Sequence, residues 1–147
     1  MTTASEPDYS ALLAFRTALR RFNRWSEAQA SAVGLTHAQH QLLLAIKGHE
    51  DPLGPTIGDV ADYLLLRHHS TVELVNRAQA GGLVKREKDS HDGRVVRLRL
   101  TPTGDERIRQ LTQLHVDELS QLEPLLNDLT DGQSADGSRL PLTKDGQ

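Results

Sequence analysis

The chain has 147 residues, a formal net charge of −3 and only 3% aromatic residues. This length suits a single domain, and a core with so few aromatic side chains must be mainly aliphatic. The absence of cysteine excludes disulfides, thiolate metal sites and thiol redox sensors. The sequence shows neither a secretory signal nor an apolar run near the roughly 20 residues of a membrane span. It therefore predicts a cytoplasmic protein with no membrane partner.

The first predicted element is a long amphipathic helix over residues 8–33, after a disordered start at residues 1–7. Its apolar side chains recur at spacings of three and four residues, which forms a stripe that must pack against something. Arg16 and Arg20 lie on another face, where they either meet solvent or bind an anion. The apolar stripe consists of Leu12, Phe15, Leu19 and Phe22.

Three shorter helices are predicted next, each marked by local signals. Gly34 is predicted to stop the long first helix. Thr36–Gln39 has the pattern of a capping box and begins the first of the three shorter helices. The second runs from Thr56 to Leu64, and the third runs from about His68 to Ala80. Two short helices joined by a tight turn form a helix-turn-helix, whose second helix normally enters the major groove of DNA.

The predicted second helix of this pair has an inward and an outward face. Its inward stripe contains Thr71, Leu74, Val75 and Ala78. On the outward face asparagine suits adenine, arginine suits guanine or phosphate, and valine suits the thymine methyl group. An ordinary solvated surface helix is the alternative. The predicted DNA contacts of this region are Arg67, His68, Ser70, Val72, Glu73, Asn76 and Arg77.

A basic β-hairpin is predicted directly after this helix. Leu83–Glu87 forms the first strand, and residues 96–100 alternate Val or Leu with Arg, the pattern of a half-buried strand with a cationic outer face. The turn at Asp89–Gly93 should project into solvent. Residues 67–99 contain eight basic and four acidic side chains, so a basic patch exists on an acidic protein. The hairpin's predicted DNA contacts are Lys88, His91, Asp92 and Arg94.

A leucine-rich helix over residues 102–129 is predicted to follow the hairpin. At 1.5 Å per residue it reaches roughly 40 Å, longer than a small domain needs, so part of its apolar face should meet a second chain. Pro124 should kink this helix or begin a separate final turn. Residues 131–147 are rich in Gly, Asp and Ser, which predicts a flexible tail.

Five short motifs follow one another along the chain. They are Thr56-Ile57-x-x-Val60-Ala61, Ser70-Thr71, Arg77-Ala78-x-x-x-Gly82-Leu83-Val84-x-Arg86, Asp92-x-Arg94 and Leu100-Thr101-x-x-Gly104. Together they give the chain a resemblance to the MarR (multiple antibiotic resistance regulator) family over about residues 8–129. Leu65 departs from the family, which often has glycine in this turn. Val72 and Glu73 also depart, so the operator sequence should differ.

The resemblance implies a mainly α fold with a small β-hairpin, a winged helix-turn-helix over residues 8–130 with dimerisation helices at 8–33 and 102–129. It also implies a homodimeric repressor that binds a near-palindromic double-stranded operator and is released by a small aromatic or phenolic effector. Arg94 would enter the minor groove, held by Asp92. The family's ligand pocket suggests four lining residues, Arg16, Arg20, Trp25 and His40.

Enzymatic and metal functions have little support in the sequence. His37 and His40 have helical i, i+3 spacing, but two imidazoles make half a zinc site, and no metal or other cofactor is predicted. A histidine-dependent hydrolase using His40 or His115 would lack a nucleophile elbow and a glycine-rich loop. A winged domain used only for protein contacts is the other alternative. It predicts no salt-dependent duplex binding.

Overall fold

The structure, a computed structural model, describes residues 6–131 and confirms a mainly helical fold with a small β-hairpin. Most of the predicted disordered start and nearly all of the predicted flexible tail lie outside the described residues. Between residues 6 and 131, no helix is both long and apolar enough to cross a membrane. The helices are α1 (Tyr9–Ala32), α2 (His37–Gly48), α3 (Ile57–Leu64), α4 (His68–Ala80), α5 (Pro102–Ser120) and α6 (Glu123–Asp131), and the strands are β1 (Val84–Lys88) and β2 (Val96–Leu100).

The chain forms two compact units. Of the described residues, one unit comprises 24–116, and the other comprises 6–23 and 117–131. The unit of residues 24–116 contains the aliphatic core that the composition predicts. Its buried apolar side chains come from α1, α2, α3, α4, both strands and α5, and include Ala30, Leu42, Leu43, Val60, Val75, Leu98, Ile108 and Leu111.

Local capping signals fix the helix starts. Thr36 and Thr56 each accept a hydrogen bond from the backbone N–H three residues later, and both capping boxes are complete.

Gly34 has φ +79 after α1, as expected of a glycine stop. Leu65 ends α3 in the left-handed conformation, with φ 54 and ψ 41. This backbone conformation is the one that glycine adopts without strain, which explains a preference for glycine at that turn.

The two strands pair antiparallel, with Arg86 opposite Leu98. The strand that was predicted to begin at Leu83 begins one residue later. Leu98 is buried and alternates with Arg97 and Arg99 as predicted, but these two arginines are only partly exposed, because the loop before α3 runs alongside this strand. The Leu98 N–H donates to the Pro55 carbonyl over 2.8 Å, and Arg97 and Arg99 donate to loop carbonyl groups.

The predicted C-terminal helix is divided in two. α5 ends at Ser120, a turn follows, and α6 begins at Glu123 with Pro124 as its second residue. Proline fits the first turn of a helix because its missing N–H needs no partner there. The structure thus confirms a separate final segment rather than a kink.

Candidate nucleic-acid interface

The α4 helix turns its predicted inward stripe to the core. Thr71, Val75 and Ala78 are buried, and the Thr71 hydroxyl donates to the Arg67 carbonyl over 3.0 Å. The opposite face is open to solvent. Among the predicted contact residues, Arg67, His68, Glu73, Asn76 and Arg77 are exposed, whereas Ser70 and Val72 are partly buried.

The first strand of the hairpin is linked to α4 through Arg86. Its Nη2 donates to Oδ1 of Asn76 over 2.7 Å, and its Nη1 donates to Oε1 of Gln79. The guanidinium therefore fixes the orientation of the Asn76 amide, which was predicted to contact a base. Arg86 and Gln79 were not predicted as site residues from the sequence. The one available signal was the place of Arg86 in the family motif.

The tip of the hairpin presents Arg94 to solvent. Its side chain is 92% exposed, and its Nε lies 3.1 Å from Oδ1 of Asp92 while its Nη2 lies 3.2 Å from Oδ2. The Arg94 backbone N–H also donates to Asp92. These contacts lower the pKa of Asp92, chiefly through the side-chain hydrogen bond, so the pair is ionic at neutral pH. The expected Asp92–Arg94 pairing is present.

Asp89 organises the turn on which that pair lies. Its Oδ1 accepts the backbone N–H groups of His91 and Asp92, and its Oδ2 accepts Nε of Arg97 over 2.9 Å. These bonds, led by the one from His91, lower the pKa of Asp89 to about 2. The sequence marked Asp89 only as a turn former, because its partner Arg97 lies across the hairpin.

The remaining basic side chains leave a positive surface over α4 and the hairpin. Arg67, Arg77 and Lys88 form no ion pair with any other residue of the described range 6–131. Lys85 is paired with Glu87 over 3.2 Å. A surface with several uncompensated cations attracts a polyanion such as DNA, and binding releases the counterions that were condensed on the DNA.

Two of the four predicted ligand-lining residues share a partly buried cluster around His115. The His115 ring lies 4.6 Å from the His40 ring and 4.8 Å from the Trp25 ring, between centroids. Its Nδ1 donates to the Leu111 carbonyl over 2.8 Å, so its Nε2 accepts from the Ser26 hydroxyl over 2.7 Å. Arg16 and Arg20 belong to the other compact unit.

His40 is the most buried of the three rings in this cluster. It is 3% exposed, and its Nδ1 is buried without a hydrogen bond to any described residue, as is Nδ1 of His37. Burial, followed by the proximity of His115 and His37, lowers the pKa of His40 to about 4. The ring is therefore neutral at pH 7 and offers an unused polar atom.

The cluster does not form a hydrolytic or metal site. Ser26 contacts a histidine but is only 2% exposed, and a backbone carbonyl rather than a carboxylate orients His115. A serine nucleophile needs access to its substrate. Among residues 6–131, no group of three histidine or acidic side chains is arranged to hold a metal ion.

Comparison with known proteins finds a family match over the helix-turn-helix and the first strand of the hairpin. Residues 33–95 match the sequence profile described as MarR family. This range includes α2, α3, α4, β1 and the Asp92–Arg94 pair, so it contains every predicted DNA-contacting residue.

Individual proteins similar to this chain include transcription regulators. An uncharacterised helix-turn-helix-type transcriptional regulator of Bacillus subtilis, YsmB, is 39% identical over 56 residues, covering 38% of this chain and 38% of that protein. The MarR-family regulator AbsC of Streptomyces coelicolor has a similar structure, with a TM-score of 0.68, 22% identity, and coverage of 90% of this chain and 93% of that one. A MepR–DNA complex of S. aureus is similar with a TM-score of 0.65, 22% identity, and coverage of 88% and 99%. The structural likenesses establish the winged helix-turn-helix fold.

Proposed function

We propose that this protein is a sequence-specific, double-stranded DNA-binding transcriptional regulator, in which α4 enters the major groove and the hairpin tip enters the adjacent minor groove. The single observation that carries the proposal is Arg94, which is fully presented to solvent and held by Asp92 at the tip of a hairpin directly after α4. Arginine is attracted to the negative potential of a narrow minor groove. MepR, which has this fold, has been seen bound to DNA.

Selection of bound duplexes from a random pool tests the proposal directly. We expect an enriched near-palindrome whose half-sites are about one turn of DNA apart, roughly 34 to 36 Å. Affinity for it should fall as salt rises, since phosphate contacts release counterions. A pool without enrichment, with no salt-dependent binding, would favour a winged module used for protein contacts.

The assembly that we propose is a homodimer. Apolar side chains of α1 and α6 are exposed in the single chain, including Tyr9 at 69%, Leu13 at 66% and Leu126 at 46%, and no residue of α6 is buried. Exposed apolar surface of this kind marks an interaction site. Sedimentation at micromolar concentration should therefore give a dimer. A monomer that protects a single half-site would contradict this part of the proposal.

We further propose that the regulator is a repressor released by a small phenolic or aromatic ligand near His40. A phenolic hydroxyl can donate or accept a hydrogen bond, so it can satisfy the buried Nδ1 of His40 in either tautomer. Trp25 and His115 supply aromatic neighbours. Salicylate added to the complex of protein and selected operator should weaken DNA binding. The His40→Phe variant keeps a ring without Nδ1 and should lose this response while retaining DNA affinity.

The proposed function includes no catalytic step and no cofactor. The named relatives are transcription regulators, and a regulator of transcription works beside its DNA, which supports the cytoplasmic location predicted from the sequence. Absence of ester hydrolysis by the purified protein, with operator binding intact, is the expected result.

A further inference from the structure

A groove of about 790 Å³ lies between the C-terminal end of α2, the helix α3 and the strand β2. Part of its lining is apolar and comes from Leu44, Ala45 and Leu64. None of the predicted DNA-contacting residues lines it, and neither do Trp25 and His40. The groove is therefore distinct from both surfaces discussed above.

A fixed aromatic side chain forms part of the wall of this groove. Tyr63 is 55% exposed, yet its hydroxyl lies 2.7 Å from Nδ1 of His49, and the two rings meet nearly edge to face at a centroid distance of 5.9 Å. Nε2 of His49 lies 3.9 Å from Oδ2 of Asp59. Because the tyrosine is held in place while its ring remains accessible, a ligand would meet a wall that is already formed.

The polar lining has an excess of negative charge. Glu50, Asp51 and Asp59 contribute three carboxylates, against the single guanidinium of Arg97. The guanidinium is shared between Asp89, outside the groove lining, at 2.9 Å and Asp51, inside it, at 4.0 Å, so it compensates the lining carboxylates only in part. A hydrogen bond from the Thr56 backbone is the main cause that lowers the pKa of Asp59 and keeps it ionised.

We propose that this groove binds small organic cations in which the positive charge is carried by an apolar or aromatic body. The aliphatic lining would contact the body of the ligand, the exposed tyrosine ring would meet its cationic face, and the carboxylates would attract its charge. An anion of the same shape would be repelled. The inference does not depend on DNA binding and is tested with protein alone.

Tetraphenylphosphonium and tetraphenylborate are suitable probes, because they have nearly the same shape and opposite charge. Titration calorimetry should show saturable binding of the phosphonium ion, and amide chemical shifts should change in Tyr63, Asp51 and Glu50. The Glu50→Gln/Asp51→Asn variant should bind it about three- to tenfold more weakly, as expected for two exposed charge contacts. Asparagine at position 51 keeps the oxygen that accepts the Leu53 N–H, so the loop should stay folded.

Two further variants separate a site from general attraction. Glu106→Gln removes an exposed carboxylate that does not line the groove and should leave the affinity unchanged. Tyr63→Leu keeps apolar bulk but removes the aromatic ring, so it should weaken binding of the phosphonium ion about twofold or more.

Any of four results would overturn the proposal. Two concern the probes: the borate ion binds as tightly as the phosphonium ion or more tightly, or the phosphonium ion does not bind up to millimolar concentration. The other two concern the site: the Glu50→Gln/Asp51→Asn variant binds the phosphonium ion with unchanged affinity, or the amide chemical shifts change only in other parts of the protein. A change in sedimentation of that variant, without phosphonium binding by the parent protein, would instead identify the groove as a contact between copies of the chain.

Discussion

Arg86 should control how well Asn76 recognises a base, although Arg86 itself was not among the predicted contacts. Its guanidinium lies 2.7 Å from Oδ1 of Asn76 and also binds Gln79, so it restricts the Asn76 amide to one orientation. The donor is charged but this hydrogen bond is exposed to solvent, so its contribution should stay near that of an ordinary hydrogen bond, about 0.5 to 1.5 kcal/mol. If the orientation matters for adenine recognition, the energetic effects of the Arg86→Ala and Asn76→Ala variants on operator affinity must be coupled.

A double-mutant cycle measures that coupling. On the selected operator we expect a coupling energy of about 0.5 to 1.5 kcal/mol, or roughly two- to twelvefold non-additivity in Kd. On random duplex the coupling should vanish, because no base is being read. Arg86→Lys is the matched control, since it keeps the charge but not the two-pronged donor; it should retain the salt slope and lose most of the coupling. Additive effects within about 0.3 kcal/mol on the operator would refute the reasoning.

Three further predictions concern stability and are checked by urea unfolding. In Gly104→Ala the new Cβ would lie 2.1 Å from the Leu83 carbonyl oxygen, so we expect the free energy of unfolding to fall by about 2 kcal/mol or more. Gly58→Ala is the control, because the nearest atom to its new Cβ is 3.7 Å away, and it should be neutral or stabilising by up to about 1 kcal/mol. Equal effects of the two substitutions would contradict the packing argument. Leu65→Gly should stabilise by about 0.5 to 1 kcal/mol, because Leu65 is 91% exposed and left-handed; a loss would show that the leucine packs elsewhere. The pKa of His40 is lowered from 6.5 to about 4 in the folded protein. The free energy of unfolding should therefore have its full value above pH 6.5 and fall by about 2 to 3 kcal/mol as the pH is lowered towards 4. His40→Phe should reduce this pH dependence, and an unchanged pH dependence in that variant would show that other groups cause it.

Local chemistry in the sequence predicted much of the fold. The hydroxyls of Thr36 and Thr56 cap their helices as expected, and α4 has the predicted bounds, because caps and helical periodicity depend on neighbours a few residues away. The Asp92–Arg94 pair, which the family resemblance implied, is also local, because its members are two residues apart.

The parts that the sequence did not predict depend on contacts between distant segments. Arg97 has an alternating pattern that suggests an outward side chain, yet it donates to Gly54 more than 40 residues earlier. The tilted contact between the His40 and His115 rings and the bonds from Arg86 to α4 likewise join elements that only tertiary packing brings together. Periodicity reports which face of an element is apolar and does not report its partner.

The most direct test of the account compares Arg94→Ala with Asn76→Ala, each titrated on the selected operator and on random duplex at several salt concentrations. Arg94→Ala should weaken binding to both duplexes and lower the salt slope by about one unit, since it removes a cation that reads groove shape. Asn76→Ala should cost about 1 to 3 kcal/mol on the operator and much less on random DNA. If Arg94→Ala leaves both affinity and salt slope unchanged, the hairpin is not a DNA-contacting wing and the proposed function is wrong.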